Sequence, residues 1–371
     1  MIYLDNAATS FIKPREVYKA VERSMRSCSS PSRGGYVQAR NADAELYACR
    51  ESAAELFGCD PINVAFTQNA THALNIAINT IVKPGMRVIV SGYEHNAVMR
   101  PLNAVEGVEI ITAGVKSFNY IGVLNAFKRL IDANTGCVIC TAVSNVFGYT
   151  MPVREIGELC RKYSVPFIID ASQGAGSMDI SAESADFLAM PGHKGLFGLQ
   201  GSGLLISRGT ILPEPLIRGG TGSNSRSFSQ PDFMPDMLES GTSAVPSIAG
   251  LGAGMRFVLR EGAKALGEHA AALVDYAEER LKNERRITLF RKSVGRHLFS
   301  FAAEGIGSEE FAERLAARGV ALRAGLHCAP AAHESEGTIE GGTVRVSPSI
   351  FTTKGQMRRF VDMIALELKD G

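Results

Sequence analysis

The sequence predicts an α/β protein: a large unit built on a mostly parallel sheet flanked by helices, with a smaller C-terminal α+β unit attached. Three observations carry this. Between about 43 and 206, helical patterns alternate with short apolar runs, as in strands joined by helical crossovers. Those runs are apolar nearly throughout, so their strands are covered on both faces. From about 246 the texture changes to a long helical region followed by short strands and single helices.

The elements follow in order. Segment 43–57 places Leu46, Cys49, Ala53 and Leu56 at spacings of three and four, with Gly58 as the stop. A strand is expected at 64–67 and a helix at 71–82, closed by Pro84 and Gly85. Further strands fall at 87–91, 108–112, 137–143, 165–170, 185–190 and 203–207, with helices at 96–105 and 153–163. The Ala/Glu/Leu/Arg-rich region 247–283 is helical. Strands at 288–290 and 297–301, a helix at 308–318, strands at 320–323 and 343–346 and a helix at 353–369 complete the chain. The Pro/Gly/Ser-rich stretch 217–235 is a long loop, a length that is usually functional or disordered.

Composition narrows the function. A chain of 371 residues suits two or three units, or a large one with a smaller one attached. With 39 Lys+Arg against 38 Asp+Glu, the net charge of +1 offers no general attraction to nucleic acid or anionic membranes. No run reaches the ~18 apolar residues of a membrane span. The start, MIYLDNAATSF, lacks the basic and apolar regions of a secretory signal, so a cytoplasmic location is expected. Seven cysteines, an odd number, do not read as a disulfide framework. The 38 glycines exceed the usual ~7% and point to tight turns and close backbone approaches.

In open parallel sheets, ligands collect beyond the C-terminal ends of the strands. Asp170 closes one apolar strand, where it equally suits a turn cap. Lys194 stands between glycines just past another, in Pro191-Gly192-His193-Lys194-Gly195. A buried lysine loses its proton readily, as Schiff-base chemistry requires. An acid and a lysine at two strand ends are the protein handles of a pyridoxal phosphate enzyme. The lysine forms the imine, and the acid keeps the pyridine nitrogen protonated. A phosphate needs backbone N–H groups at a helix start plus small hydroxyls. The run Gln68-Asn69-Ala70-Thr71-His72 offers both, and it is also an ordinary helix N-cap. His95, after the strand 87–91, suits a ring lying flat on the cofactor or an incidental loop position.

These residues, in this order, resemble the class V aminotransferase family of fold-type I pyridoxal phosphate enzymes, and within it the cysteine desulfurase and selenocysteine lyase branch. The likeness runs nearly end to end. It is carried by Tyr3-Leu4-Asp5-Asn6-Ala7-Ala8-Thr9-Ser10, Glu94-His95-Asn96-Ala97, Ser144-Asn145-Val146-Phe147-Gly148, Asp170-Ala171-Ser172-Gln173, Gly192-His193-Lys194, Glu239-Ser240-Gly241-Thr242 and Arg323-Ala324-Gly325-Leu326-His327-Cys328. The resemblance implies that Lys194 carries pyridoxal 5'-phosphate, Asp170 pairs with its pyridinium nitrogen, His95 stacks on its ring and Gln173 bonds its phenolic oxygen. Ala70, Thr71 and His193 are implied at the phosphate, with Thr242 reaching the neighbouring subunit's phosphate in a homodimer with shared sites. Asn145 and Arg345, with Arg323 nearby, are implied to hold the substrate carboxylate. An arginine suits that independently, because its planar fork matches a carboxylate in two bonds. The implied organisation is a cofactor-binding domain over 15–250 and a small domain over 1–14 and 251–371 that carries the cysteine segment.

Cys328 discriminates among activities. Cys137 and Cys140 form a C-x-x-C within an apolar strand, where a buried reading outweighs a metal or redox site. Cys49 and Cys160 lie on helix faces, Cys59 follows a helix stop, and Cys28 sits in a polar loop with nothing obvious to activate it. Cys328 instead sits among Arg323, Gly325 and His327, and cationic neighbours favour the nucleophilic thiolate. The resemblance makes it the sulfur-accepting cysteine of an enzyme that converts L-cysteine to L-alanine and passes the sulfur to a protein or thiol acceptor. Four departures bear on substrate and acceptor. Pro191 stands where a Ser commonly precedes Gly-His-Lys, Leu326 replaces a histidine, Ser243-Ala244 replaces Pro-Asn, and the chain begins directly at its first motif. A selenocysteine lyase or another class V lyase or transaminase is the rival reading, followed by a cofactor-retaining sulfur-trafficking scaffold. A dehydrogenase is disfavoured, since no G-x-G-x-x-G opens a helix after the first strand. No metal site is expected.

Overall fold

A computed structural model describes residues 1–32, 34–115, 118–290 and 296–370. The chain opens with strand β1 (Ile2–Tyr3), α1 (Arg15–Ser27) and α2 (Val37–Phe57), and Gly58 ends α2 in the left-handed conformation. Next come β2 (Val64–Thr67), α3 (Ala70–Ile81), β3 (Arg87–Ser91), α4 (Asn96–Asn103), β4 (Glu109–Ala113) and α5 (Tyr120–Leu130). Then follow β5 (Cys137–Thr141), α6 (Val153–Tyr163), β6 (Phe167–Asp170), β7 (Phe187–Pro191) and β8 (Gly203–Ser207). Strands β2–β8 form one seven-stranded sheet in the order β2-β8-β7-β6-β5-β3-β4. The neighbours from β4 to β7 pair in parallel, and β8 runs antiparallel to both β2 and β7.

Every residue of β5, β6, β7 and β8 is buried, as expected of strands sandwiched between helices. Period-two alternation splits the core: Val138 and Cys140 pack into the cluster on one face, Cys137 and Ile139 into that on the other. The two cysteines therefore point to opposite sides of the sheet and cannot share a ligand.

The expected helical region 247–283 is two helices, α7 (Val245–Glu261) and α8 (Ala263–Leu281). Gly262 separates them at φ +85°, a backbone state open to glycine at little cost. Likewise, the strand expected at 320–323 is two short ones, β11 (Val320–Ala321) and β12 (Arg323–Gly325). The remaining elements are β9 (Ile287–Leu289), β10 (Phe299–Ala303), α9 (Ser308–Ala317), α10 (Pro330–Glu336), β13 (Thr343–Val346) and α11 (Lys354–Asp370). An antiparallel sheet, β12-β13-β10-β9, forms here, while β1 pairs in parallel with β11. Ile2 and Leu4 join Phe299, Phe301, Phe311 and Phe360 in a separate apolar cluster, so the N-terminus packs with the C-terminal elements. Helix α7 packs closely because Gly254 has no side chain: a Cβ there would lie 2.1 Å from the Leu196 carbonyl oxygen, two residues past Lys194. Among the described residues, no helix is long and apolar enough to cross a membrane.

Candidate active site

The strand ends of the parallel sheet assemble a cavity. Asp170, at the end of β6, is 2% exposed, and its Oδ1 accepts the Ser172 N–H at 2.9 Å. Lys194 follows β7 on a turn closed by two 2.7 Å bonds, Gly192 N–H to the Ser202 carbonyl and Gly198 N–H to the Gly192 carbonyl. A Cβ on Gly195, next to Lys194, would lie 2.2 Å from the Ala175 carbonyl oxygen, so the turn needs glycine there. Burial, reinforced by Arg345 and Arg323 and opposed by Asp170, pushes the Lys194 amine down to about 8. His95 caps α4, its Nδ1 accepting the Ala97 N–H at 2.9 Å, which places the neutral ring's proton on Nε2. Burial above all, with Lys194, Arg323 and Arg345 adding to it, pushes the imidazole down to about 4, so it is neutral at pH 7.

Ala70, Thr71, His95, Asp170, Gln173, His193, Lys194 and Asn145 all line this one cavity. Gln173 is fixed by its Nε2, which donates to the Ala7 carbonyl at 2.9 Å. Asn69 caps α3 by accepting the His72 N–H, and the N–H groups of the first helical turn have no acceptor within the helix. Thr242 lies outside the cavity, exposed at a second one that Thr67, Gln68 and His72 also line.

The cysteine segment meets this cavity from the C-terminal side. Arg345, on β13, is 1% exposed, with Nη2 2.8 Å from Asp5 Oδ1 and Nη1 2.9 Å from the Asn145 carbonyl. Asn145 Nδ2 donates to the His327 carbonyl at 2.9 Å, and the Asn96 N–H donates to the Cys328 carbonyl at 2.8 Å. Cys328 is exposed, with Arg323 Nη2 3.5 Å from its Sγ. Of the other cysteines, Cys49, Cys137, Cys140 and Cys160 are buried.

Asp5 and Glu94 carry more of the site than sequence reasoning assigned them. Asp5 is the ion-pair partner of Arg345, and β1 with its pairing to β11 brings it there. Glu94 is fully buried, with Oε1 accepting Ser91 Oγ at 2.5 Å and the Thr141 N–H at 2.9 Å. Both stand inside quoted motifs, but nothing in their spacing marked them as buried or paired.

The class V aminotransferase model, Aminotransferase class-V, matches residues 2–360. This chain belongs to that family. Among relatives, a probable cysteine desulfurase of Methanothermobacter thermautotrophicus is 27% identical over 96% of this chain and 92% of its own length. A probable cysteine desulfurase of Streptomyces coelicolor is 29% identical over 98% and 91%. The solved apo cysteine desulfurase of Thermococcus onnurineus NA1 superposes with a TM-score of 0.90 at 25% identity, covering all of this chain and 95% of that one. The family depends on pyridoxal phosphate, and the fold is that of the fold-type I pyridoxal phosphate desulfurases. The cavity fits that group. It offers a lysine with a lowered proton affinity, a buried carboxylate and a helix N-terminus, and the buried His193 Nδ1 has no partner.

Proposed function

We propose that this class V enzyme is a cysteine desulfurase that converts L-cysteine to L-alanine and retains the sulfur on Cys328 as a persulfide. The observation that carries the reading is the placement of an exposed thiol beside the Arg323 guanidinium. Its segment is hydrogen-bonded to the helix that His95 caps. When bound, pyridoxal phosphate supplies an electron sink that weakens the substrate Cβ–Sγ bond.

The chain's residues supply the rest. Lys194 would hold the cofactor and, once released, act as the base at Cα, a task its lowered proton affinity suits. Asp170 would hold the proton on the pyridine nitrogen, His95 would lie on the ring, and Gln173 would meet the phenolic oxygen. Ala70, Thr71 and His193 would meet the phosphate. Arg345 and Asn145, with Arg323 nearby, would orient the substrate carboxylate. The Cys328 thiolate forms an S–S bond to the substrate sulfur as the Cβ–S bond breaks. That bond's electron pair stays with carbon, protonation there yields alanine, and the sulfane sulfur remains on Cys328. We read residues 15–250 as the cofactor-binding domain and 1–14 with 251–371 as the domain carrying the thiol. We read the protein as a cytoplasmic homodimer, and the exposed position of Thr242, away from its own chain's cavity, supports the shared site in which Thr242 serves the partner's phosphate.

The test is alanine and sulfide release from L-cysteine plus a reducing thiol, with L-selenocysteine as second substrate. Lys194→Ala should abolish both reactions. Cys328→Ala should abolish the cysteine reaction and spare the selenocysteine one, because selenium leaves more easily. Full cysteine activity in Cys328→Ala would overturn the persulfide mechanism, and amino transfer to a keto acid would indicate a transaminase.

A further inference from the structure

His327 and Cys328 both occupy the left-handed region, at φ +50° and +57°, although neither is glycine. Two successive side-chain-bearing residues hold this state only where surroundings over-determine it. The structure shows what does so. The His327 carbonyl accepts Asn145 Nδ2 at 2.9 Å, and the Cys328 carbonyl accepts the Asn96 N–H at 2.8 Å. The His327 ring is 3% exposed, with Nε2 3.0 Å from the Thr343 carbonyl, and Ala329 N–H closes the turn onto the Leu326 carbonyl at 2.9 Å. The backbone is thus pinned while the Cys328 side chain stays exposed. Asn96 is the first residue of α4, directly after the capping His95.

We infer that Asn96 and Asn145 are positioning residues: their donors clamp the strained His327–Cys328 pair, so one helix start sets both His95 and the attacking thiol. This deepens the desulfurase reading and rests on Cys328 as sulfur acceptor. The clamp makes the thiol a preformed nucleophile, and its geometry then matters to the cysteine reaction alone.

Asn96→Pro tests this with little cost to the helix. Proline is favoured at the first helical position, and His95, at φ −77° and ψ 156°, already has the conformation that a following proline requires. The ring replaces the donor with carbon, so the Cys328 carbonyl must move away. In the holoenzyme, turnover of L-cysteine should fall roughly 10- to 100-fold, as for small misplacements of a reacting group. Turnover of L-selenocysteine should change less than about twofold by the same reasoning. Amide hydrogen exchange over 326–329 should accelerate in the apoprotein as well as the holoenzyme. Asn96→Ala, which keeps the N–H, should recover most of the lost turnover. Should Asn96→Pro not fold, Asn145→Ala removes the other pin, and exchange over 326–329 in its apoprotein should likewise accelerate. Unchanged exchange, or parallel losses on both substrates, would overturn the clamp. Undiminished cysteine turnover in Cys328→Ala would instead overturn the sulfur-acceptor reading, leaving exchange to judge the clamp.

Discussion

Asp5 holds Arg345 across almost the whole length of the chain, Oδ1 to Nη2 at 2.8 Å. The guanidinium is fixed on its other side by the Asn145 carbonyl, and its buried Nε has no acceptor. Fork and charge are therefore set before any substrate arrives. Arg345→Lys keeps the charge but cannot reproduce a planar fork. Losing one charge-assisted bond should raise KM for L-cysteine about 10- to 100-fold. An unchanged KM would remove Arg345 from carboxylate recognition. Asp5→Asn leaves a buried cation without its counter-charge, and the denaturant midpoint should fall by the equivalent of roughly 1–3 kcal/mol at constant slope.

Thiol labelling should separate the cysteines. Burial pushes Cys49 and Cys160 up to about 12 and Cys59, with help from Asp60, up to about 11. Cys137 and Cys140 are fully buried in β5. Alkylation needs access and the thiolate. Iodoacetamide on the native protein should therefore modify Cys328 first and Cys28 more slowly, sparing the other five until unfolding. Peptide mass spectrometry reads the order, and early labelling of Cys137 or Cys140 would contradict the buried strand.

Most of the large sheet was legible because β3, β5 and β8 are short, largely apolar runs with sharp polar or glycine borders. Three helices were not. In α1 the buried positions Val17, Ala20 and Ser24 fall at helical spacing, but only two of the three are apolar. In α5 Val123, Ala126 and Phe127 are buried at helical spacing behind the Asn119 cap, but the exposed Tyr120 and Ile121 blur its polar face. Helix α10 has seven residues, too short for a repeat to show. The cavity was readable because Asp170 ends a strand and His95 and Lys194 each follow one, where ligands collect. Asp5 was not, since no local pattern encodes a partner 340 positions away. Glu94 was not, since a carboxyl after a strand reads as solvated until burial is known.

Glu94 predicts a pH dependence of stability. Burial chiefly, with Asp170 adding to it and bonds from Ser91 and Thr141 opposing, pushes its carboxyl up to about 8 from the ordinary 4.5. The folded state therefore binds a proton more tightly than the unfolded one. That contribution is fully present below pH 4.5 and lost as the pH rises through about 8. Glu94→Gln keeps an acceptor for Ser91 and Thr141 without a titrating group. The stability difference between variant and wild type should shift in favour of glutamine from pH 5 to pH 9. Denaturant midpoints at both pH values measure it, and parallel profiles would show that Glu94 titrates as an ordinary carboxyl.

Lys194 predicts how the apoprotein takes up its cofactor. Only the neutral amine can attack the cofactor's aldehyde, so the rate of uptake follows the deprotonated fraction. Burial is the main cause of the lowered proton affinity, and the cations Arg345 and Arg323 add to it while Asp170 opposes. Uptake should therefore rise with pH and reach half its maximum near 8, well below the ordinary 10.5. Arg323→Gln removes one of the depressing charges and should move that midpoint upward, whereas an effect of Arg323 on substrate alone would leave it in place. Stopped-flow absorbance on mixing apoprotein with pyridoxal phosphate across the pH range gives the midpoint directly. A midpoint at the ordinary lysine value would mean that the amine is solvated, and burial in the cavity would then fail to explain why this lysine is reactive.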